Sequence, residues 1–293
     1  MIKYHTIKNM KYIQLISKLC SKYPQKLLSL ENSPDVIYAV GNLNLLTTFS
    51  IAVVGSRNCT IEAKTLTEKL VKELATLGIT IISGMANGID TLAHETALNC
   101  GGNTIAILGS GFDVAKSKKI FKKILDGDGL ILSEYSPTVP ALKYHFPQRN
   151  SLIAGLSDGV IIAEARKNSG TLLTAMHALN QHKPLFTFPW NIDNENYYGN
   201  NFILTKGARG ILSYKDIIDF YPNLNLPSLE NISQKNIPEE YKNIYETLKN
   251  TPIPLEVLAQ KTNIPFRNLQ STLTFMELDG YIKKMPNNSY IKI

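Results

Sequence analysis

Two short turns carry the strongest chemical signal in the sequence. Ile51–Val54 and Ile79–Ile82 are apolar runs. The first empties into Gly55-Ser56-Arg57 and the second into Ser83-Gly84-Met85. Each turn leads towards a helical pattern. Unpaired backbone N–H groups at the mouth of a helix, together with the positive end of its dipole, attract anions. Glycine lets a ligand approach the backbone, and serine adds a hydroxyl donor. Arg57 adds a planar, permanently charged fork suited to phosphate. Gly55 and Ser83 lie 28 residues apart, as in successive units of a parallel sheet. Turns so related stand side by side at the carboxyl edge, where open α/β sheets bind ligands. The ligand they imply is polyanionic.

Two further segments add to this signal. In LKYHFPQRNSLIAG, residues 142–155, the basic Lys143, His145 and Arg149 surround Tyr144 and Phe146, and Asn150 follows. Cations interleaved with aromatics suit single-stranded nucleic acid, because cations take phosphates and ring faces stack bases. The alternative is a surface loop with a buried Phe146. The turn Asn168-Ser169-Gly170-Thr171 follows the apolar run Val160–Ala163 and Glu164, and opens a helical pattern to Asn180. It is another candidate anion-binding helix start, or else Ser169 and Thr171 only cap the helix.

Other chemistries find less support. Asp90 and His94 are four residues apart and share a helix face, but a capping Asp90 and a packed His94 are the favoured reading. Gly109-Ser110-Gly111 would need a third glycine at position 114, which is Val114, so no dinucleotide site is expected. There is no GxxxxGK[ST] run, no Ser/His/Asp set and no metal-ligand spacing. Neither a cofactor nor a metal is expected.

The elements that must position these residues alternate between Thr48 and Phe220. Strand candidates are Ile51–Val54, Ile79–Ile82, Thr104–Leu108, Leu130–Leu132, Val160–Ala163, Leu185–Phe188 and Gly210–Leu212. Most are near-continuous apolar runs, as strands buried on both faces require. Helical patterns at Ile61–Leu77, Thr91–Asn99, Ser117–Leu125 and Thr171–Asn180 separate them. The fold expected is α/β: a Rossmann-like, doubly wound, mostly parallel sheet over residues 48–220. Residues 1–47 read as a short, basic, helical segment, with six lysines against Glu31 and Asp35. Residues 221–237, rich in Asn, Pro and Ser, read as a linker. Residues 238–293 show three helical patterns and a hairpin around Asn287-Asn288, the order of a small winged-helix domain. Asn263-Ile264-Pro265 supplies its helix-turn-helix turn.

Composition sets the remaining bounds. The 293 residues carry a net charge of +7, which weakly favours an acidic partner such as nucleic acid. Cys20, Cys59 and Cys100 lack CxxC spacing, which argues against zinc or a disulfide framework and fits a reducing cytosol. No apolar run approaches the roughly 20 residues of a membrane span, and the N-terminus lacks the pattern of a signal peptide. A cytoplasmic protein is expected.

Taken together, VGSR, SGMANGIDTLAH, GGNTIAILGSGFD, LILSEY, FPQRNSLIAGLSD, EARKNSGTLLTA and GNNFILTKGA resemble, in order, the DprA/Smf proteins of bacterial natural transformation. The resemblance covers about residues 23–220, and the tail resembles the winged-helix module many of these proteins carry. It implies a Rossmann-like core that binds single-stranded DNA, acts as a homodimer, protects incoming DNA and loads a RecA-type recombinase onto it. Carried over by motif, Arg57, Lys143, Phe146 and the Ser83-Gly84 turn would line the DNA groove. The sequence departs from the family in two places. VAKSKKIFKKI stands where the family has a Tyr-Pro and an Asn, and Pro189-Trp190-Asn191 stands where it has Pro-Gly.

Two competing readings remain. A nucleotide phosphoribohydrolase would carry a PGGxGT turn followed by glutamates, whereas Arg166–Thr171 reads RKNSGT with no carboxylate after it. A duplex-DNA regulator would read bases with the helix Phe266–Asp279, which holds Arg267 against Glu277 and Asp279. With eight basic and seven acidic residues from Tyr221 onward, a protein-contact or auxiliary role fits the tail better.

Overall fold

In the computed structural model the described residues are 13–224, 226, 238–248, 251–279 and 281–292. Two compact units form, Met1–Pro227 and Ser228–Ile293. The first runs, in order, β1 (Gln14–Ser17), α1 (Gln25–Leu28), β2 (Val36–Gly41), β3 (Ser50–Val54), α2 (Ile61–Thr76), β4 (Thr80–Ser83), α3 (Ile89–Asn99), β5 (Thr104–Leu108), α4 (Phe112–Ala115), α5 (Lys119–Asp126), β6 (Leu130–Ser133), α6 (His145–Leu156), β7 (Gly159–Ile162), α7 (Gly170–Asn180), β8 (Leu185–Thr187), α8 (Tyr198–Leu204), β9 (Arg209–Gly210) and α9 (Tyr214–Ile218).

The nine strands form one sheet in the order β1-β2-β6-β5-β4-β3-β7-β8-β9. From β6 to β9 every neighbouring pair is parallel, for example Ala52 with Ile82 and Ala52 with Val160. Apart from β9, whose Arg209 and Gly210 are exposed, these strands are largely apolar because helices cover both faces. Ala52, Val54, Ile105, Ile107 and Ile162 face one core with Leu152 and Ile153 of α6 and Ala175 of α7. Ala106, Leu108 and Ile131 face the other with Phe121 and Ile124 of α5. Successive connections run outward from β3 to β6, then jump back to β7 beside β3 and run the other way. The boundary between β3 and β7 is therefore the topological switch point, where the loops at the strand ends diverge and leave a crevice.

One expectation fails at the amino end. The described part of residues 1–47 is not predominantly helical: β1 and β2 pair antiparallel with each other, and β2 pairs antiparallel with β6. The physical reason lies in Val36–Val40, an apolar run whose Ile37, Ala39 and Val40 are buried against the sheet. The lysine count of this segment describes its surface and not its backbone. Residues 1–12, residue 225 and residues 227–237, which hold most of the expected linker, lie outside the described residues.

The second unit packs α10 (Glu239–Thr247), α11 (Leu255–Thr262) and α12 (Phe266–Leu278) against a sheet of β10 (Ile253–Pro254), β12 (Ser289–Lys292) and β11 (Ile282–Met285). Asn263 ends α11 in the left-handed region at φ 54°, which lets the chain turn into α12. Asn287 and Asn288 are also left-handed, at φ 64° and 54°. They join β11 to β12, as the asparagine pair suggests. Leu258, Leu269, Leu273, Met276 and Ile282 form its core.

Candidate nucleic-acid interface

A cleft of about 420 Å³ opens at the switch point, and it is lined by the end of β3 and its turn, the loop after β7 and the starts of α3, α6 and α7. Nine of the residues singled out from sequence line it: Gly55, Ser56, Arg57, Phe146, Arg149, Asn150, Ser169, Gly170 and Thr171. Local chemistry explains why the turns converge. Gly88 has φ 84°, and a side chain there would strike the carbonyl oxygens of Ser56 and Arg57. Only glycine lets the start of α3 close onto the β3 turn. Ile89 N–H then donates to Ser56 O at 3.3 Å.

Phe146 is half-buried at the cleft and has two cations over its ring. The Arg57 guanidinium carbon is 5.6 Å from its centroid, and that of Arg149 is 5.9 Å away. Both lie within cation–π range. The two arginines differ in accessibility. Arg57 is exposed, so its donors are free for a ligand. Arg149 is only 5% exposed. Its Nη1 donates to the carbonyls of Gly84 and, at 2.7 Å, of Ile107, and its Nε donates to Asn150 Oδ1 at 3.1 Å. It ties α6 to the ends of β4 and β5. Burial lowers its pKa, and the Asp90 carboxylate opposes that shift.

Asp90, at the first turn of α3, accepts from the backbone N–H of Gly84 at 3.2 Å and of Ala86 at 3.4 Å. It does not cap α3, whose N-cap is Gly88 with no side-chain cap bond; from inside the helix it holds the turn that precedes it. Burial raises its pKa above the ordinary carboxylate range, against Arg149 and the backbone donors. His94 is fully buried, its Nδ1 2.7 Å from Thr104 Oγ1. Thr104 Oγ1 itself donates to Ile81 O, so it accepts from His94 Nδ1–H. Burial and the charge of Arg149 push the pKa of His94 down to about 3. It packs and does not shuttle protons.

At the other wall, Ser169 precedes α7, and Asn168 before it is left-handed at φ 60°. The Ser169 hydroxyl caps nothing: its Oγ is buried and has no hydrogen-bond partner among the described residues. A free hydroxyl beside the N–H groups of an 11-residue helix is an anion-binding arrangement. Arg166, also on the lining, was not singled out from sequence, although it stands only three residues before Ser169.

Four expected site residues do not line the cleft. Ser83 is fully buried, and its hydroxyl donates to Val53 O at 2.6 Å. Met85 is left-handed at φ 56° with its side chain in the core. Gly84 presents its backbone to Arg149, whose guanidinium fills the space a side chain would need. These three build the turn that holds the cleft and do not face a ligand. Lys143 is exposed in the loop before α6. Lys118, also outside the lining, reaches the same turn: its Nζ donates to Met85 O at 2.8 Å. Partial burial lowers its pKa, as do the charges of Arg149 and Arg57. That contact spans 33 residues of chain, and nothing in the local sequence announces it.

The fold defines a class, proteins with a Rossmann-like, doubly wound core and an appended winged-helix unit. The chain matches the family model for DNA recombination-mediator protein A over residues 14–222 and that for the DprA winged helix domain over residues 233–288. It belongs to the DNA recombination-mediator protein A family. It is 31% identical to Protein Smf of Escherichia coli (strain K12) over 92% of this chain and 75% of that protein. The X-ray structure of DNA processing protein A from Streptococcus pneumoniae is similar, with a TM-score of 0.66 and 40% identity over 71% of this chain and 74% of that one. DNA processing protein A from Helicobacter pylori, whose structure describes its single-stranded DNA binding mode, matches with a TM-score of 0.64 and 33% identity, over 72% of this chain and 96% of that one.

Proposed function

We propose that this DNA-processing protein binds single-stranded DNA at the switch-point cleft, and that Arg57 and the start of α7 take phosphates while Phe146 stacks a base. Bound in this way it protects incoming DNA during natural transformation and loads a RecA-type recombinase onto it, working as a cytoplasmic homodimer. The observation that carries the DNA reading is Phe146, half-buried under Arg57 in a cleft whose other wall holds the unpartnered Ser169 hydroxyl. Cation and ring face together are the elements of single-strand binding. The single-stranded DNA binding of the Helicobacter pylori relative supports it. The roles in recombinase loading, protection and dimer formation rest on the family resemblance.

The cleft reads as a binding site and not a catalytic one. Its one carboxylate, Asp90, faces backbone amides and is 5% exposed, so it offers no free base to attack a glycosidic bond. The winged unit fits a protein contact: its helix α12 exposes Phe266, Phe275 and Leu278 and holds a single cation, Arg267. The test is a titration of the full chain with single-stranded and duplex DNA of equal length. Single strands should bind more tightly, and a duplex preference overturns the reading. Metal-independent release of free base from a nucleoside monophosphate would restore catalysis.

A further inference from the structure

The lysine-rich segment after α4 lies outside the cleft lining, yet its charges are placed against the interest of its own helix. In α5, Ile120, Phe121 and Ile124 are buried and hold it to the sheet. The positions left for solvent in its first turns are Lys119, Lys122 and Lys123. Lys118 and Lys119 stand at the N-cap and first helical positions, and the first turn holds no acid. Cations are disfavoured at that end, where the dipole is positive, and lysines three or four apart repel each other. Helix stability does not account for this placement, but a bound polyanion does.

Not all of these charges are free. Lys116 pairs with Asp113 at 2.7 Å and Lys123 with Glu95 at 2.6 Å. Lys119 and Lys122 have no carboxylate partner among the described residues. Lys118 fixes this end of α5 to the cleft: its ammonium is bonded to Met85 O, in the turn whose next residue, Ala86, lines the cleft, and it feels the charges of Arg57 and Arg149. From Lys118, which feels Arg57, the unpaired cations continue along the start of α5 at Lys119 and Lys122.

We propose that Lys119 and Lys122 form a second contact surface for the sugar-phosphate backbone of single-stranded DNA, taking the strand as it leaves the cleft over α5. The inference rests on the cleft reading. Its role is to lengthen the bound segment, independent of base identity, since exposed ammonium groups meet phosphates and not base edges.

The test compares the full chain with its Lys119→Gln/Lys122→Gln variant, using oligothymidylates about six and about thirty nucleotides long, a range chosen to bracket the span of a single site. Two lost phosphate contacts should make the slope of log K against log salt shallower by about 1.4 for the long strand, and weaken it roughly 25-fold near 0.1 M salt. The short strand, held by the cleft alone, should bind both proteins equally. The Lys119→Arg/Lys122→Arg variant should behave as the parent. The thermal midpoint of the glutamine variant should not fall, because the substitution removes cations from a helix N-terminus. An unchanged slope for the long strand overturns the proposal, and so does equal weakening of both strands. If the unaltered chain fails to hold the short strand, the cleft reading falls first and this inference with it.

Discussion

Arg149→Ala separates the two roles an arginine can play beside a nucleic acid. Its Nη1 donates to Gly84 O and Ile107 O from a site that is 5% exposed, with the equally buried Asp90 nearby. Each hydrogen bond from a charged donor is worth about 1.5–3 kcal/mol. The two bonds together set the expected destabilisation at about 3–6 kcal/mol, and the loss of the cation acting on the buried Asp90 works in the same direction. Urea unfolding followed by tryptophan fluorescence measures it cleanly. Trp190 is the only tryptophan, and it stacks on Tyr197 and donates to Ala163 O at the end of β7, so it reports the first unit alone.

The same substitution has a pH signature. Burial already holds the Asp90 pKa above its ordinary value, and Arg149 opposes that rise. Without Arg149 it rises further. A carboxyl with a raised folded value has its full stability below the unfolded value of about 3.9 and loses it as pH rises through the folded one. The Arg149→Ala penalty should therefore be largest near neutral pH and shrink towards pH 4. Adding Asp90→Asn should recover at least about 1 kcal/mol at neutral pH, as a coupled pair does. A variant within about 0.5 kcal/mol of the parent, the level of an ordinary surface change, with a shallower salt slope for DNA would refute the clamp and put Arg149 on a phosphate.

Three other outcomes follow from the same geometry. Arg57→Ala should weaken single-strand binding across unrelated sequences and make its salt slope shallower by about 0.7, with little change in urea midpoint because Arg57 is exposed. An unchanged slope in an intact fold removes it from the site. Phe146→Ala should cost about 1–3 kcal/mol of binding, the value of one base stack, and leave the salt slope alone. Normal binding by a much less stable variant would make Phe146 a core residue. A fragment ending near Pro222 should fold and bind single strands in gel-shift titrations, while one starting near Pro238 should not bind them tightly; tight binding by the latter moves the site to the winged unit.

The parts of the fold that were legible in the sequence are those whose environment is uniform. β3, β5 and β7 are covered on both faces, so Ile51–Val54, Thr104–Leu108 and Val160–Ile162 read as unbroken apolar runs. The turns after β3 and before α7 announced themselves because Gly, Ser and Asn have few other reasons to cluster there. β1 was hidden, since Gln14–Ser17 is four residues at the sheet edge with one of them buried. β2 is legible in principle: Val36-Ile37-Tyr38-Ala39-Val40 is a strand-like run.

What sequence cannot separate is two residues of one type with opposite jobs. Arg57 and Arg149 both flank Phe146 at similar distances, 5.6 and 5.9 Å, and either could be assigned to a phosphate from its type alone. Their difference lies in long-range packing. The guanidinium of Arg149 reaches Gly84 and Ile107, 65 and 42 residues away in the chain, and occupies the volume that Gly84 leaves by lacking a side chain. Gly84 therefore has a function the local turn does not reveal: it admits the arginine that anchors α6. Once α6 is anchored, Phe146 is held at the cleft and its ring is available to a base without reordering. A rigid ring under an exposed arginine costs less entropy on binding than a mobile loop would. Under the proposed function, the buried arginine would serve the DNA strand by fixing the ring and not by touching the phosphate.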